Sequence, residues 1–347
     1  MKKNSLYSMI QKINIADIAR ITGYSTSTVS RVLNGKADNY RISKATQEKI
    51  KSTADEYNYT PNEFARNLRK GSGRTIALIV PSLKNPFFAE MASAINLEAS
   101  KANYITLIGD SDDNITIERE TVKQLTSRSI DGMIIVPCSN VSDHLLQLKK
   151  RGMPLICIDR YFENQDLSFV TSDNYNGAYL AAKYLIELGH TNIACIQGVK
   201  DSTPNTQRVK GFKDAMSDHG INTYSVTGDS FSEQNGYLET KLLLQTENRP
   251  TAIFAFSNTI AMGSLKAIRE EELKIPDEIS LITFDNNPYL DYIDPPLTCV
   301  SQPIEEICKM AIRILFTKIN DKENTTKRVF LKTRLMIKES AKSIIQK

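Results

Sequence analysis

The chain is 347 residues long, 41% hydrophobic and 24% charged, a composition that fits folded globular domains and excludes collagen-like and low-complexity classes. Its net charge of +4 hides an imbalance, since residues 1–75 hold 14 Lys and Arg against 6 Asp and Glu while the remainder holds 30 against 34. A compact basic end on a mildly acidic body is the footprint of a nucleic-acid-binding module joined to another domain; a solvated basic face is the alternative.

Residues 1–13 form an N-terminal extension. Through Asn14, "MKKNSLYSMIQKIN" has three lysines but no apolar stretch of the kind a secretory signal needs. Over residues 14–60, Asn14 is placed to cap a helix, and Asp17 falls in the first turn, where the helix dipole favours an acid. Ile15, Ile18, Ala19 and Thr22 make one helical stripe, which Gly23 ends. In the following "STSTVSRVLNG", Val29, Val32 and Leu33 recur at helical spacing and are expected to pack on the first helix. Thr26, Ser27, Thr28, Ser30 and Arg31 are left facing outward.

Short hydroxyl residues prefer caps and turns, so a helix face built from them needs a reason. Small side chains let a helix backbone approach a duplex and donate to phosphates or base edges, and one Arg reaches a guanine with two hydrogen bonds. Two short helices joined at a glycine turn, the second polar outward, predict a helix-turn-helix. A helical hairpin used only for packing is the alternative.

Residues 61–73, "PNEFARNLRKGSG", read as a Pro-initiated short helix ending in a Gly/Ser tether. From Arg74 onward, apolar runs alternate with amphipathic segments. Strands are predicted at "TIALIVP", "YITLIG", "DGMIIVP", "PLICID", "NIACIQG", "TAIFAFS" and "ISLITFD". Helices are predicted over 87–102, 117–127, 178–188, 207–219 and 260–272. Near-continuous apolar strands separated by helices mean parallel sheets covered on both faces. The fold class is α/β: an all-α helix-turn-helix headpiece followed by two doubly wound parallel-sheet subdomains. The late runs "TCVSQP" and "RVFLKTRLMI" supply crossovers and edge strands, so one subdomain takes 74–161 with 303–328 and the other 162–302 with 329–340.

The segments "IADIARITGYSTSTVSRVLNG", "ISKATQEKI" and "YTPNEFARNLRKGSGRTIALIVPSLKNPFFAEM" resemble the LacI/GalR family of bacterial transcriptional regulators. The resemblance continues through "ICIDR", "SDNYNGAYLAAKYLIELGH", "RVKGF", "AMGSLKAIRE", "IPDEISLITFDN" and "DPPLTCVSQP", covering roughly residues 14–340 in the family's order. It implies a core like that of periplasmic sugar-binding proteins. It implies that Thr26 and Ser27 open the recognition helix, that Arg31 reads a guanine, and that Thr28, Ser30 and Asn34 contact phosphates. Ala65, Leu68 and Arg69 would lie on a hinge helix that folds on operator DNA, Leu68 wedging a minor-groove base step; a disordered basic linker is the other reading. Three features depart from the family pattern: about a dozen residues precede the first helix, the segment "KADNYRI" is longer than usual, and Tyr24 replaces a smaller aliphatic.

Doubly wound subdomains bind ligands where strand carboxyl ends meet across a cleft. Asn85 follows the first core strand, and Phe87 or Phe88 could stack on an apolar sugar face or pack the helix start. Asp159 and Arg160 end "ICIDR", as an ion pair or as a fork for hydroxyls. Arg208 lies early in a helix whose Val209 and Phe212 are the better core candidates, and its guanidinium suits a hydroxyl, carboxylate or phosphate. Asn258, Asp285 and Gln302 follow further strands. In the resembling family these positions line the pocket, although Thr259 replaces the acid that commonly follows the Asn, and Asn286 and Asn287 follow Asp285. The analogy favours a sugar or sugar derivative over a purine or other metabolite as effector.

Catalytic, cofactor and metal sites are not expected: there is no P-loop, no G-x-S-x-G, and the three histidines His144, His190 and His219 are dispersed. Five cysteines without C-x-x-C spacing, at 138, 157, 195, 299 and 308, point to a reducing compartment, and no apolar run could span a bilayer. The expected protein is a cytoplasmic regulator, most simply a repressor, acting as a homodimer or tetramer on pseudopalindromic double-stranded operator DNA under a small-molecule effector. Control by a phosphocarrier-type protein partner, or a solute-binding receptor without DNA binding, are the competing functions.

Overall fold

A computed structural model describes residues 13–59, 73–321 and 325–345. The chain divides into two compact units between Gly71 and Ser72. Among the described residues no helix is long and apolar enough to cross a membrane.

The first unit contains α1 (Ile15–Thr22), α2 (Thr26–Leu33), a 3-10 turn (Asp38–Tyr40) and α3 (Lys44–Glu56). The sequence marks its own helix ends. Asn14 accepts the Ala16 and Asp17 N–H groups at 2.8 and 3.2 Å, and the Asp17 carboxylate accepts the Asn14 N–H at 3.1 Å. This reciprocal box satisfies donors that a helix start leaves open, and such a cap is worth about 1 kcal/mol. Gly23 ends α1 at φ 78°, a left-handed conformation glycine adopts without strain, and Ser25 and Ser43 cap α2 and α3. Ile18, Ala19, Val29, Val32, Ala37 and Ile50 form the core, with Leu33 and Tyr24 packed against it.

The second unit holds two six-stranded sheets. The first strands and helices are β1 (Thr75–Val80), α4 (Pro86–Lys101), β2 (Ile105–Asp110), α5 (Ile115–Thr126), β3 (Gly132–Ile135), α6 (Asp143–Lys150), β4 (Leu155–Ile158) and β5 (Phe169–Ser172). Then come α7 (Asn174–Glu187), β6 (Ile193–Ile196), α8 (Thr203–Asp218), β7 (Tyr224–Thr227), α9 (Glu233–Leu244), β8 (Ala252–Ala255), α10 (Asn258–Glu270) and β9 (Ser280–Phe284). The chain closes with β10 (Thr298–Ser301), α11 (Ile304–Asp321), β11 (Arg328–Leu331) and β12 (Arg334–Met336).

The sheet orders are β2-β1-β3-β4-β5-β11 and β7-β6-β8-β9-β10-β12, the same winding executed twice. All pairings are parallel except β12 against β10. Alternation along β1 shows why both faces need cover: Ile76, Leu78 and Val80 join a cluster with Met91, Ile95 and Ile307, whereas Ala77 and Ile79 join Val122, Leu125 and Leu145.

All seven predicted strands and five predicted helices of this unit are present. The subdomain boundaries lie later than residues 161/162 and 328/329. Phe169–Ser172 pairs with β4 through Cys157↔Phe169, and Arg328–Leu331 pairs with β5, so both belong to the first sheet. The four-residue β5 follows β4 without an intervening helix and therefore carries no periodic signal of its own. The chain passes between the sheets three times, between β5 and α7, between β10 and α11, and between β11 and β12.

Helices α9 and α10 touch backbone to backbone. A Cβ on Gly263 would stand 1.9 Å from the Glu233 carbonyl oxygen, and one on Gly236 would stand 2.0 Å from that of Ile260. Neither neighbour is a side-chain tip that can swing away, so overpacking here separates the helices. Gly263→Ala is expected to destabilise the core unit by about 1–3 kcal/mol, measured as a lower urea midpoint with unchanged slope.

Candidate functional site

The outward face of α2 presents the predicted residues unequally. Thr26, Ser27 and Arg31 are exposed, whereas Thr28, Ser30 and Asn34 are half-buried. Thr28 shares a 2.9 Å hydroxyl contact with the capping Ser25. Asn34 donates from its amide to the Ser30 carbonyl at 2.6 Å and to the Ser30 hydroxyl at 3.1 Å. The Arg31 guanidinium lies 3.8 Å above the Tyr40 ring. Ala65, Leu68 and Arg69 lie outside the described residues.

In the second unit, most of the predicted cleft residues come together. Asp159 and Asp285 stand one residue beyond β4 and β9, the matching strands of the two sheets. Both adopt left-handed backbone, φ 60° and 71°, which is uncommon for a non-glycine residue though Asp tolerates it better than most. Each is pinned by its own N–H, to the Val170 carbonyl at 3.0 Å and the Val300 carbonyl at 2.9 Å.

Arg208, on α8, is 3% exposed and sits among them. Its Nε donates to Asn174 Oδ1 at 2.8 Å, one terminal nitrogen donates to the Phe256 carbonyl at 2.5 Å, and its plane lies 3.7 Å from the Phe284 ring centroid. Phe212 is buried in the core and Val209 packs against it, as expected, and the Arg208 guanidinium is buried as well.

Phe87, Phe88, Asp159, Arg160, Arg208, Asp285 and Gln302 line one cavity of about 30 Å³, together with Pro204, Phe231 and Ser257. That is room for about one water molecule. The two halves are tied beside it by Tyr161 N–H donating to Thr203 Oγ1 at 3.1 Å and Gln207 donating to Glu163 at 3.2 Å. Phe87 and Phe88 meet edge to face at 5.3 Å and serve both roles, core packing and cavity wall.

The remaining site residues have local duties. Asn85 caps α4, accepting the Phe87 N–H at 3.1 Å, and does not line the cavity. Asn258 opens α10 and bonds Asn287 through its side chain. Asp159 and Arg160 do not pair with each other; Arg160 donates to Asp113 at 2.6 Å. Sequence reasoning missed Phe231. The only signal was an isolated aromatic in the polar loop "GDSFSE". Thr259, where an acid was expected, donates its hydroxyl to the Phe231 carbonyl and so secures that loop.

Burial dominates the electrostatics. It raises Asp159 to about 6, against the pull of Arg208 and Arg160, and it raises Asp285 although Arg208 and a 2.5 Å bond from Gln302 oppose it. Burial likewise lowers Arg208, while Asp285 and Asp159 favour its charge. Asp159 Oδ1, Asn258 Oδ1 and Gln302 Oε1 are buried acceptors without a hydrogen-bond partner among the described residues. An unsatisfied buried acceptor costs about 1–3 kcal/mol, and two of these, on Asp159 and Gln302, belong to residues that line the cavity, which suits a ligand carrying hydroxyl or amine donors.

The raised Asp159 has a stability consequence. Between its ordinary value of 3.8 and its value of about 6, the folded chain holds a proton that the unfolded chain has lost, so stability falls as pH rises through that window. Asp159→Asn lacks this titration. Its melting temperature relative to wild type is expected to rise from pH 4 to pH 6 and then level off, measured by differential scanning calorimetry.

Comparison with known proteins agrees with both halves. Residues 14–62 match the family described as bacterial regulatory proteins, lacI family, and residues 182–341 match a periplasmic binding protein-like domain. The chain is 32% identical over 336 residues to the HTH-type transcriptional repressor PurR of Photobacterium profundum, covering 95% of this chain and 99% of that one. Among solved structures, a LacI family transcriptional regulator from Enterococcus faecium with bound ribose is 30% identical at TM-score 0.72, covering 78% of this chain and 100% of that one. A transcriptional regulator CelR–cellobiose complex is 26% identical at TM-score 0.71, covering 94% and 99%. The lac repressor dimer bound to operator, 22% identical with TM-score 0.85 over 96% of this chain, shares the fold. Helix-turn-helix unit, twin-sheet core and full-length kinship together place this chain in the LacI family, as a DNA-binding transcriptional repressor with a ligand-binding domain.

Proposed function

We propose that the protein is a homodimeric repressor whose grip on a pseudopalindromic operator is set by an uncharged, polyhydroxylated effector, a sugar or sugar derivative, held between the two sheets. The carrying observation is the pair of buried, unpartnered acceptors on cavity-lining residues, Asp159 Oδ1 and Gln302 Oε1, beside a buried Arg208. A polyol supplies donors to the acceptors and lone pairs to the guanidinium. The phenyl faces of Phe87, Phe88 and Phe231 suit the C–H face of a sugar ring. Asp159 and Asp285 oppose an anionic ligand. Ribose in the Enterococcus faecium regulator and cellobiose in CelR support the same ligand class.

On the DNA side, Thr26, Ser27 and Arg31 face base edges, and Thr28, Ser30 and Asn34 face the flanking phosphates. The supporting observation is the exposure of the first three and the local bonding of the others. Cleft closure acts on operator binding by favouring one conformation of the core, and a near-complete switch needs roughly 5 kcal/mol of discrimination between the two.

Titration calorimetry of the full-length protein against pentoses, hexoses, disaccharides and nucleobases is expected to give saturable binding with a sugar; binding confined to a nucleobase would overturn the ligand class. Arg208→Ala is expected to abolish the effector response and also to lower the melting temperature, because it strands Asp159 and Asp285 in the interior without their cation. Arg31→Ala is expected to weaken operator binding by about 1–3 kcal/mol and to flatten the preference at one base pair, read by binding-site selection.

A further inference from the structure

We infer that Tyr40 is a specificity-determining residue, which positions Arg31 for base readout. This rests on Arg31 facing DNA, as proposed above. Tyr40 belongs to the lengthened "KADNYRI" segment between α2 and α3. That segment is a built turn. Ala37 is buried in the core of the headpiece, Tyr40 and Ile42 N–H both donate to the Ala37 carbonyl, and Arg41 adopts φ 51° to bring the chain round. Gln47 of α3 ties it from the other side, donating to Asp38 Oδ1 at 3.2 Å and to the Ile42 carbonyl at 2.9 Å. Tyr40 itself is 51% exposed, so core packing does not account for its placement. Its ring holds the Arg31 guanidinium at 3.8 Å.

The geometry matters because the two functions of a guanidinium use different directions. Stacking on an aromatic ring uses its flat face, whereas its N–H donors lie in the plane and stay free for the two acceptors of a guanine. An exposed Arg otherwise loses rotamer freedom when it engages a base. Tyr40 confines it beforehand without using a donor.

The test uses full-length protein and a duplex selected by it from a randomised pool. Tyr40→Ala is expected to weaken binding about three- to tenfold and to flatten the preference at the base pair that Arg31→Ala flattens. Tyr40→Phe, which keeps the ring, is expected to stay within about twofold of wild type. In an Arg31→Ala background, Tyr40→Ala is expected to add less than about twofold. Equal losses from Tyr40→Ala in both backgrounds, or a Tyr40→Phe as weak as Tyr40→Ala, would overturn the inference, since the tyrosine would then act on DNA by itself. So would a silent Tyr40→Ala beside a damaging Arg31→Ala, which leaves the reading of Arg31 standing. A silent Arg31→Ala would sink that reading and the inference with it. Unchanged thermal unfolding of the variants separates all of these outcomes from misfolding.

Discussion

A guanidinium enclosed by protein is the constraint around which the core is organised. Burying a lone cation or carboxylate costs several kcal/mol, and only partners placed in advance offset it. Arg208 receives those partners from three elements of the second sheet's subdomain: Asn174 of α7, the Phe256 carbonyl beyond β8, and the Phe284 ring of β9. The first sheet contributes Asp159, whose charge favours the cation from the opposite wall. Asp285, beyond β9 in Arg208's own half, favours the cation more strongly still.

The two-fold use of one winding order explains why the critical carboxylates occupy matching posts. Asp159 and Asp285 follow the fourth strand of their respective sheets, each in left-handed backbone and each anchored to the next strand over. Strand ends in a parallel sheet have free backbone groups and no ladder to continue, so they are where polar side chains can be held without breaking the sheet.

Much of this was legible in the sequence because burial on both faces leaves uninterrupted apolar runs, and the seven strands so read are all present. The helix-turn-helix was legible down to the ends of its first helix, since Asn14, Asp17 and Gly23 act through local geometry that sequence spacing records. Short elements without a period escaped, including β5 at Phe169–Ser172, and with it the true boundary of the first subdomain. The cleft was legible in its residue types but not in its pairings. Arg160 bonds Asp113, 47 positions away, rather than its neighbour Asp159, and Phe231 reaches the cavity from a loop with no motif. Long-range pairing depends on topology, which a linear pattern does not carry.

The three passages between the sheets are all short, with Asp173, Gln302–Pro303 and Lys332–Thr333 as the only residues between the flanking elements. A pair of bodies joined by one strap can swivel and twist; joined by three side by side, it keeps a single easy bending mode. Gln302 stands inside one of these straps and holds Asp285, so whatever rearranges the carboxylate pulls on the pivot itself. Cavity wall and pivot thus share one amide side chain.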